Sequence, residues 1–347
     1  MTKKLSDLSL KNRYQLKIIL RNGKMEKKIK GSQRLSLAKL QAWEKLGYGM
    51  FIHFGMSTFE GKELPDGKVP ANLYAPDKLD VEQWVSVARD AGMKYAVLTA
   101  KHVAGHCLWP SKHTKYDVGN SGNKTDIVEA FVEVCRKKGI MPGLYYCSWD
   151  NHHRFGSLTP SDTTEIGQFS FTTRAYQDFQ TAQIKELLTQ YGKIGEVWVD
   201  IPAVLPRCYR QELYQTIASM QPDTVIMMNT GFGDGSNYPV DRAWPADLIA
   251  IERWLPNSHT GHLNWREIEG KKYYMPGEVC DPIGKEWFFV DGDKPRSDAE
   301  LLGMYLVCRS RHTNLLLDVP PDKHGVIPKM HVEALMRLRK NLDKVGF

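Results

Sequence analysis

The sequence predicts an α/β protein built as a (β/α)8 TIM barrel. Three observations predict it: eight short β-like runs, helical periodicity between them, and a polar, chemically useful residue near the C-terminal end of nearly every run. The runs are 49–55 (GMFIHFG), 95–100 (YAVLTA), 141–147 (MPGLYYC), 196–200 (EVWVD), 224–229 (TVIMMN), 247–252 (DLIAIE), 273–279 (YYMPGEV) and 314–319 (NLLLDV). Each is rich in β-branched or aromatic residues and too short for an amphipathic helix, as expected of parallel strands buried on both faces. At or just past their ends lie His53, Lys101 and His102, Tyr146, Asp200, Asn229, Glu252, Glu278 and Asp318. In such a barrel those ends converge on one face.

The helices follow in order. Segment 81–92 places Val81, Trp84, Val85 and Ala88 on one face and stops at Gly92, and 126–139 repeats the design with a basic last turn that suits the helix dipole. Further helices are expected near 176–192, 297–311 and 328–342. The irregular segments 56–72, 109–122, 149–172, 201–210, 231–246 and 257–270 all follow strands, on the side of a barrel where sites are built.

A length of 347 residues fits one barrel with insertions. The net charge of +7 is concentrated at the start: residues 1–40 carry 12 Lys and Arg against 2 acids, leaving residues 41–347 at −3. The expected organisation is therefore a basic N-terminal extension, 1–40, and a catalytic barrel, 41–347. A nucleic-acid partner is not expected, because a binding face belongs on the folded domain. Around Asn22-Gly23 the extension has the makings of a hairpin. Six scattered cysteines without a C-x-x-C motif suggest neither a disulfide framework nor a zinc knuckle. With no apolar run of about 20 residues and no signal-peptide core after the basic start, the expectation is a cytoplasmic protein with no membrane partner. Oligomeric state is not legible.

Two carboxylates stand out by position. Asp200 ends the fourth run and Glu252 the sixth, so a substrate over the barrel axis would meet both. A retaining glycosidase needs this arrangement, with carboxyls roughly 5–5.5 Å apart, one as nucleophile and the other as acid/base. Taken singly, either acid reads more simply as one member of a rim ion pair. His53, His102 and His106 near strand exits suit hydrogen bonding to a hydroxyl-rich ligand, or a mononuclear metal site from His53, His102 and Asp200; no H-E-x-x-H or H-x-H pattern supports the metal. Trp109, Trp149, Trp244, Trp254, Trp265 and Trp287 offer ring faces for sugar stacking, against the alternative that such large residues serve packing.

Five collinear motifs, Gly49-Met50-Phe51-Ile52-His53-Phe54-Gly55, Thr99-Ala100-Lys101-His102, Cys107-Leu108-Trp109-Pro110-Ser111, Gly143-Leu144-Tyr145-Tyr146 and Val197-Trp198-Val199-Asp200, resemble those of the family 29 glycoside hydrolases, the α-L-fucosidases. The resemblance implies a retaining exo-glycosidase that releases terminal α-L-fucose from a fucosylated glycoside or oligosaccharide and requires no cofactor or metal. It makes Asp200 the nucleophile and Glu252 the acid/base, with Glu278 as the rival. It makes His53, Glu63, His102, Tyr146 and Trp198 the sugar-binding shell; His106, Trp109 and Trp287 are further candidates. Where the family has His-His-Asp-Gly-Phe, this chain has His102-Val103-Ala104-Gly105-His106, a departure that keeps open a non-catalytic carbohydrate-binding barrel; a metal-dependent barrel hydrolase is the third reading. No C-terminal β-sandwich of the kind common in the family is expected after the eighth helix.

Overall fold

The computed structural model describes residues 31–153, 169–231, 233–257 and 264–346. The hairpin expected around Asn22-Gly23 lies outside them. Among the described residues ten strands follow in chain order: β1 Tyr48–Ile52, β2 Tyr95–Lys101, β3 Met141–Cys147, β4 Glu196–Asp200, β5 Val225–Asn229, β6 Ile249–Glu252, β7 Trp265–Ile268, β8 Lys271–Tyr274, β9 Gly277–Pro282 and β10 Thr313–Asp318. The principal helices are α1 Leu37–Glu44, α2 Val81–Asp90, α3 Ile127–Lys138, α4 Arg174–Gln190, α5 Arg207–Met220, α6 Asp298–Ser310 and α7 Lys329–Val345.

Eight strands form one parallel sheet in the order β5-β4-β3-β2-β1-β10-β9-β6. The ladder is interrupted only between β5 and β6. There the backbone N–H of Asp247 donates to Ile226 O (2.8 Å) and that of Ile226 to the Asp247 carboxylate (3.0 Å), so the barrel closes by a clasp. Asp247 also accepts from Arg34 and from the Tyr214 hydroxyl, each at 2.6 Å. Arg34 lies in the expected extension, yet it is locked to the barrel, Leu35 and Leu40 are buried, and α1 begins at the Ser36 cap. The packed domain therefore starts before residue 40.

Two further expectations change. The run 273–279 is not one strand: Pro276, which has no N–H to give a ladder, separates the end of β8 from β9. Before it, β7 and β8 make an antiparallel hairpin around Glu269 and Gly270, both at positive φ (50° and 73°), as a tight two-residue turn requires. Among the described residues this hairpin stands where the helix between the sixth and seventh barrel strands is expected. In turn, 207–220, partly read as irregular, is the helix α5. Helix starts follow side-chain caps at Asp80, Asp126, Thr173 and Ser297, the last a full capping box with Glu300.

Alternation along the strands sorts the core into two layers. Outward residues such as Met50, Leu98, Val197 and Ile226 pack against the helices, whereas Phe51, Val97, Tyr145, Trp198, Met227, Cys280 and Leu316 fill the barrel itself. Each strand thus carries one chemistry outward and another inward, and the inward positions of its last turn become the floor and walls of a pocket. Among the described residues no helix is long and apolar enough to cross a membrane.

Candidate active site

A small pocket opens at the C-terminal end of the strands. It is lined by Phe51 and His53 (β1 and its exit), Glu63, His102 (after β2), Tyr145 (β3), Trp198 and Asp200 (β4), Asn229 (β5), Glu252 (β6), Cys280 (β9) and Trp287. Asp200 is the last residue of β4, held by the bond from Ser148 N to its own carbonyl (2.9 Å). Its carboxylate accepts from the Tyr145 hydroxyl (2.6 Å) and the Asn229 amide (2.7 Å). The same Asn229 nitrogen donates to Glu252 Oε2 at 2.8 Å. Because one nitrogen holds both oxygens, these can be no farther apart than the two bonds laid end to end, 5.5 Å. That ceiling admits the roughly 5–5.5 Å of retaining glycosidases and falls short of the roughly 6.5–9.5 Å that inverting enzymes need for an intervening water.

The two acids differ in protonation. Burial raises the Asp200 carboxyl, but Tyr145, Asn229 and the N–H of Ile201 hydrogen-bond to its anion and pull it back. Glu252 is pushed up to about 7, by burial first and then by the charge of Asp200. Glu252 is therefore the one that still holds a proton near neutrality, while the hydrogen bonds on Asp200 favour its anion, the division of labour between acid and nucleophile. Each acid is followed by a non-glycine residue in the left-handed region, Ile201 at φ 48° and Arg253 at φ 60°. Such conformations cost on the order of 1–3 kcal/mol and are kept where they aim something. At Ile201 the aim is visible, since its N–H turns back onto Asp200.

His53 donates from its backbone N–H to Asp318 Oδ1 (3.2 Å), and its Nδ1 meets the same oxygen at 2.8 Å. Asp318 thereby fixes the ring orientation and leaves Nε2 for the pocket. Burial holds His53 down at about 3, so it is a neutral hydrogen-bonding ring. The His102 ring stacks on Tyr145 (5.7 Å, 20°), and its buried Nδ1 has no hydrogen-bond partner. Trp198 donates through Nε1 to Glu278 at 2.7 Å while its ring lines the pocket. Trp287 stands beside His53, with ring centroids 5.1 Å apart.

The pocket thus gathers Asp200, Glu252, His53, Glu63, His102, Trp198 and Trp287 of the sequence-predicted set. Four others lie elsewhere. Tyr146 points out of the barrel: its hydroxyl donates to Gln183 on α4 and its ring covers the buried ammonium of Lys101. His106 is buried between Tyr74 and Tyr116 with Nε2 on Ser121 Oγ (2.8 Å). Trp109 donates to Glu186 (2.9 Å), the carboxylate that also holds Ser111 and the N–H of Lys112, so that motif fastens the loop after β2 to α4. Glu278 is the second residue of β9 and therefore lies at the barrel's base, accepting from Tyr95 (2.6 Å) and Trp198. Strand position removes it from the substrate. Sequence reasoning missed Tyr145, Cys280 and Phe51, and gave Asn229 no role beyond its place at a strand end. Counting inward positions back from Asp200 would have found Asn229 at the matching end of β5. Among the described residues no three His, Cys, Asp or Glu side chains converge as a metal-ligand set.

A barrel with paired carboxylates and an aromatic, imidazole-rich wall at its C-terminal rim is the architecture of a glycoside hydrolase. Residues 63–346 match the Alpha-L-fucosidase family model. The chain is 31% identical over 312 residues to alpha-L-fucosidase 1 of Arabidopsis thaliana, covering 84% of this chain and 57% of that protein. Among solved structures it resembles alpha-L-fucosidase isoenzyme 1 from Paenibacillus thiaminolyticus (26% identity, TM-score 0.72, 89% of this chain and 76% of that one). It also resembles a glycoside hydrolase 29 family member from a rumen bacterium (27%, TM-score 0.71, 87% and 56%). The chain belongs to the α-L-fucosidase family, glycoside hydrolase family 29, and spans little more than half the length of its plant relative.

Proposed function

We propose that this protein is a retaining exo-α-L-fucosidase. The observation that carries the reading is the Asn229 amide bridging Asp200 and Glu252, which sets the carboxyl spacing of a double displacement. Asp200 attacks C1 of the fucosyl unit and forms the covalent intermediate. Glu252 gives its proton to the leaving oxygen, then accepts one from the incoming water. The floor of Phe51 and Trp198 closes the pocket below, which favours removal of a terminal residue over cleavage within a chain. His53 and His102 offer ring nitrogens to the hydroxyls, and Trp198 and Trp287 offer apolar ring surface to the C5 methyl and ring hydrogens.

A fucosylated glycoside follows as substrate from the family. Absence of a nucleic-acid partner belongs to the same proposal, supported by the charge distribution along the chain. In the decisive experiment, an aryl α-L-fucoside is given to the wild type and to Asp200→Ala. Wild-type turnover, a loss on the order of 10⁴-fold or more in the variant, and azide rescue to a β-fucosyl azide are expected. An Asp200→Ala protein that turns over normally would remove the covalent mechanism.

A further inference from the structure

A second cavity adjoins the first across Arg253. It measures about 410 Å³ and is lined by Arg253, Lys285, Lys294 and Arg296, with Ser297 and Glu300 at the start of α6. Arg253 directly follows Glu252 in the chain, and its guanidinium lies 4.8 Å from the centroid of Trp287, a wall of the sugar pocket. One of its nitrogens donates to the backbone carbonyl of Lys285 at 2.6 Å, which ties Arg253 to that loop.

Four cations line the cavity against one lining carboxylate, Glu300, which stays charged on the Ser297 cap; Arg296 is paired with Asp281 (2.8 Å). The Asp293 carboxylate is held by the backbone N–H groups of Lys285 and Glu286. Among the described residues Arg253, Lys285 and Lys294 have no carboxylate within ion-pair distance. Lys285 and Lys294 are both exposed, so the charge faces solvent at the mouth. Trp254, the next residue along, is 57% exposed and presents an unused ring at the same rim.

A leaving group is protonated by the acid/base, so it occupies the side of the pocket where that residue stands. Arg253 and its cavity begin one residue past Glu252. Resting on the retaining-fucosidase reading, we infer that the cavity of Arg253, Lys285 and Lys294 is a subsite for an anionic group, carboxylate or sulfate, on the leaving part of the substrate. The favoured substrates are then acidic glycoconjugates in which the residue bearing the fucose carries a negative charge.

The test compares three aryl α-L-fucosides, with 4-carboxyphenyl, 4-sulfophenyl and the neutral 4-carboxamidophenyl leaving groups, in the wild type and in the double variant Lys285→Glu, Lys294→Glu. The ratio of variant to wild-type kcat/KM cancels the intrinsic reactivity of each leaving group. That ratio is expected to be about tenfold lower for the anionic substrates than for the neutral one, and the difference to shrink with added salt. A ratio equal for all three substrates overturns the subsite while leaving the fucosidase standing. No wild-type turnover of any of the three overturns the fucosidase reading instead. A deficit seen with the sulfonate alone, as the stand-in for sulfate, or with the carboxylate alone identifies which anion the cavity takes.

Discussion

Acids point into the barrel at both of its ends, and the two pairs are wired in opposite ways. At the rim, Asp200 and Glu252 accept from one shared amide, Asn229, and both line the pocket. At the base, Glu196 and Glu278 are sealed beneath Trp198 and the α1 residue Trp43, which donates to Glu196 at 3.1 Å. Burial and the neighbouring charge raise Glu196 so far that it keeps its proton and donates it to Glu278, whose other bonds come from Tyr95 and Trp198. A proton shared between two acids with no route to solvent serves structure. A proton poised on Glu252 near neutrality, beside an open pocket, serves chemistry. The residue types are the same at both ends, and depth along the strand decides their use.

Replacing one acid at each end is the strongest way to break this comparison. Glu252→Ala should lower kcat on a fucoside with a poor leaving group by about 10²–10⁴-fold and spare one with a good leaving group, the mark of a lost general acid. Glu278→Gln, by contrast, should weaken the hold on Tyr95 and Trp198 and lower stability by about 1–3 kcal/mol, with no change in leaving-group dependence. Brønsted plots and denaturant midpoints of the two variants check both halves. Leaving-group sensitivity in Glu278→Gln would return the acid/base role to the base of the barrel.

The next largest effect separates the two faces of one strand. Tyr145→Phe removes the hydroxyl on Asp200 and should reduce kcat/KM by about 10–100-fold, as loss of a donor to a reacting carboxylate does. Tyr146→Phe removes a bond to Gln183 behind the wall and should cost about 1 kcal/mol of stability with little change in turnover. Michaelis parameters alongside thermal melts settle it; equal kinetic losses would mean that the strand's facing is wrong.

That pair also shows where the sequence stopped being readable. Asp200 and Glu252 were found because they end strands, and a strand end is visible as the point where an apolar run turns polar. Tyr146 was chosen over Tyr145 because both follow the same run and only register separates them: Tyr145 pairs with Trp198, which points inward with Asp200. A slip of one residue exchanges the faces. Glu278 was misplaced for a related reason, since the hairpin of β7 and β8 hid the true start of β9 behind Pro276. Trp109 and His106 belong to motifs, and the motif was legible, but its work is to anchor a loop through Glu186 and Ser121. The Arg34 clasp on Asp247 was hidden for a different reason, because an ion pair across 213 positions leaves no local pattern.

The smallest effect is a stability difference that depends on pH. An unfolded Glu titrates near about 4.3, whereas Glu252 in the fold is pushed up to about 7 by burial and by Asp200. Between those values the folded state binds the extra proton, so stability falls as pH rises through that window and stays lower above it. Glu252→Gln removes the titration. Its stability relative to wild type should therefore improve by on the order of 2 kcal/mol between pH 4 and pH 8, read as the change in denaturant midpoint at each pH. The kcat/KM of the wild type should decline over the upper part of the same window, as Glu252 loses the proton it donates. A midpoint difference that stays constant with pH would mean that Glu252 is ionised in the fold, and the contrast between a poised rim acid and a sealed basal pair would lose its electrostatic basis.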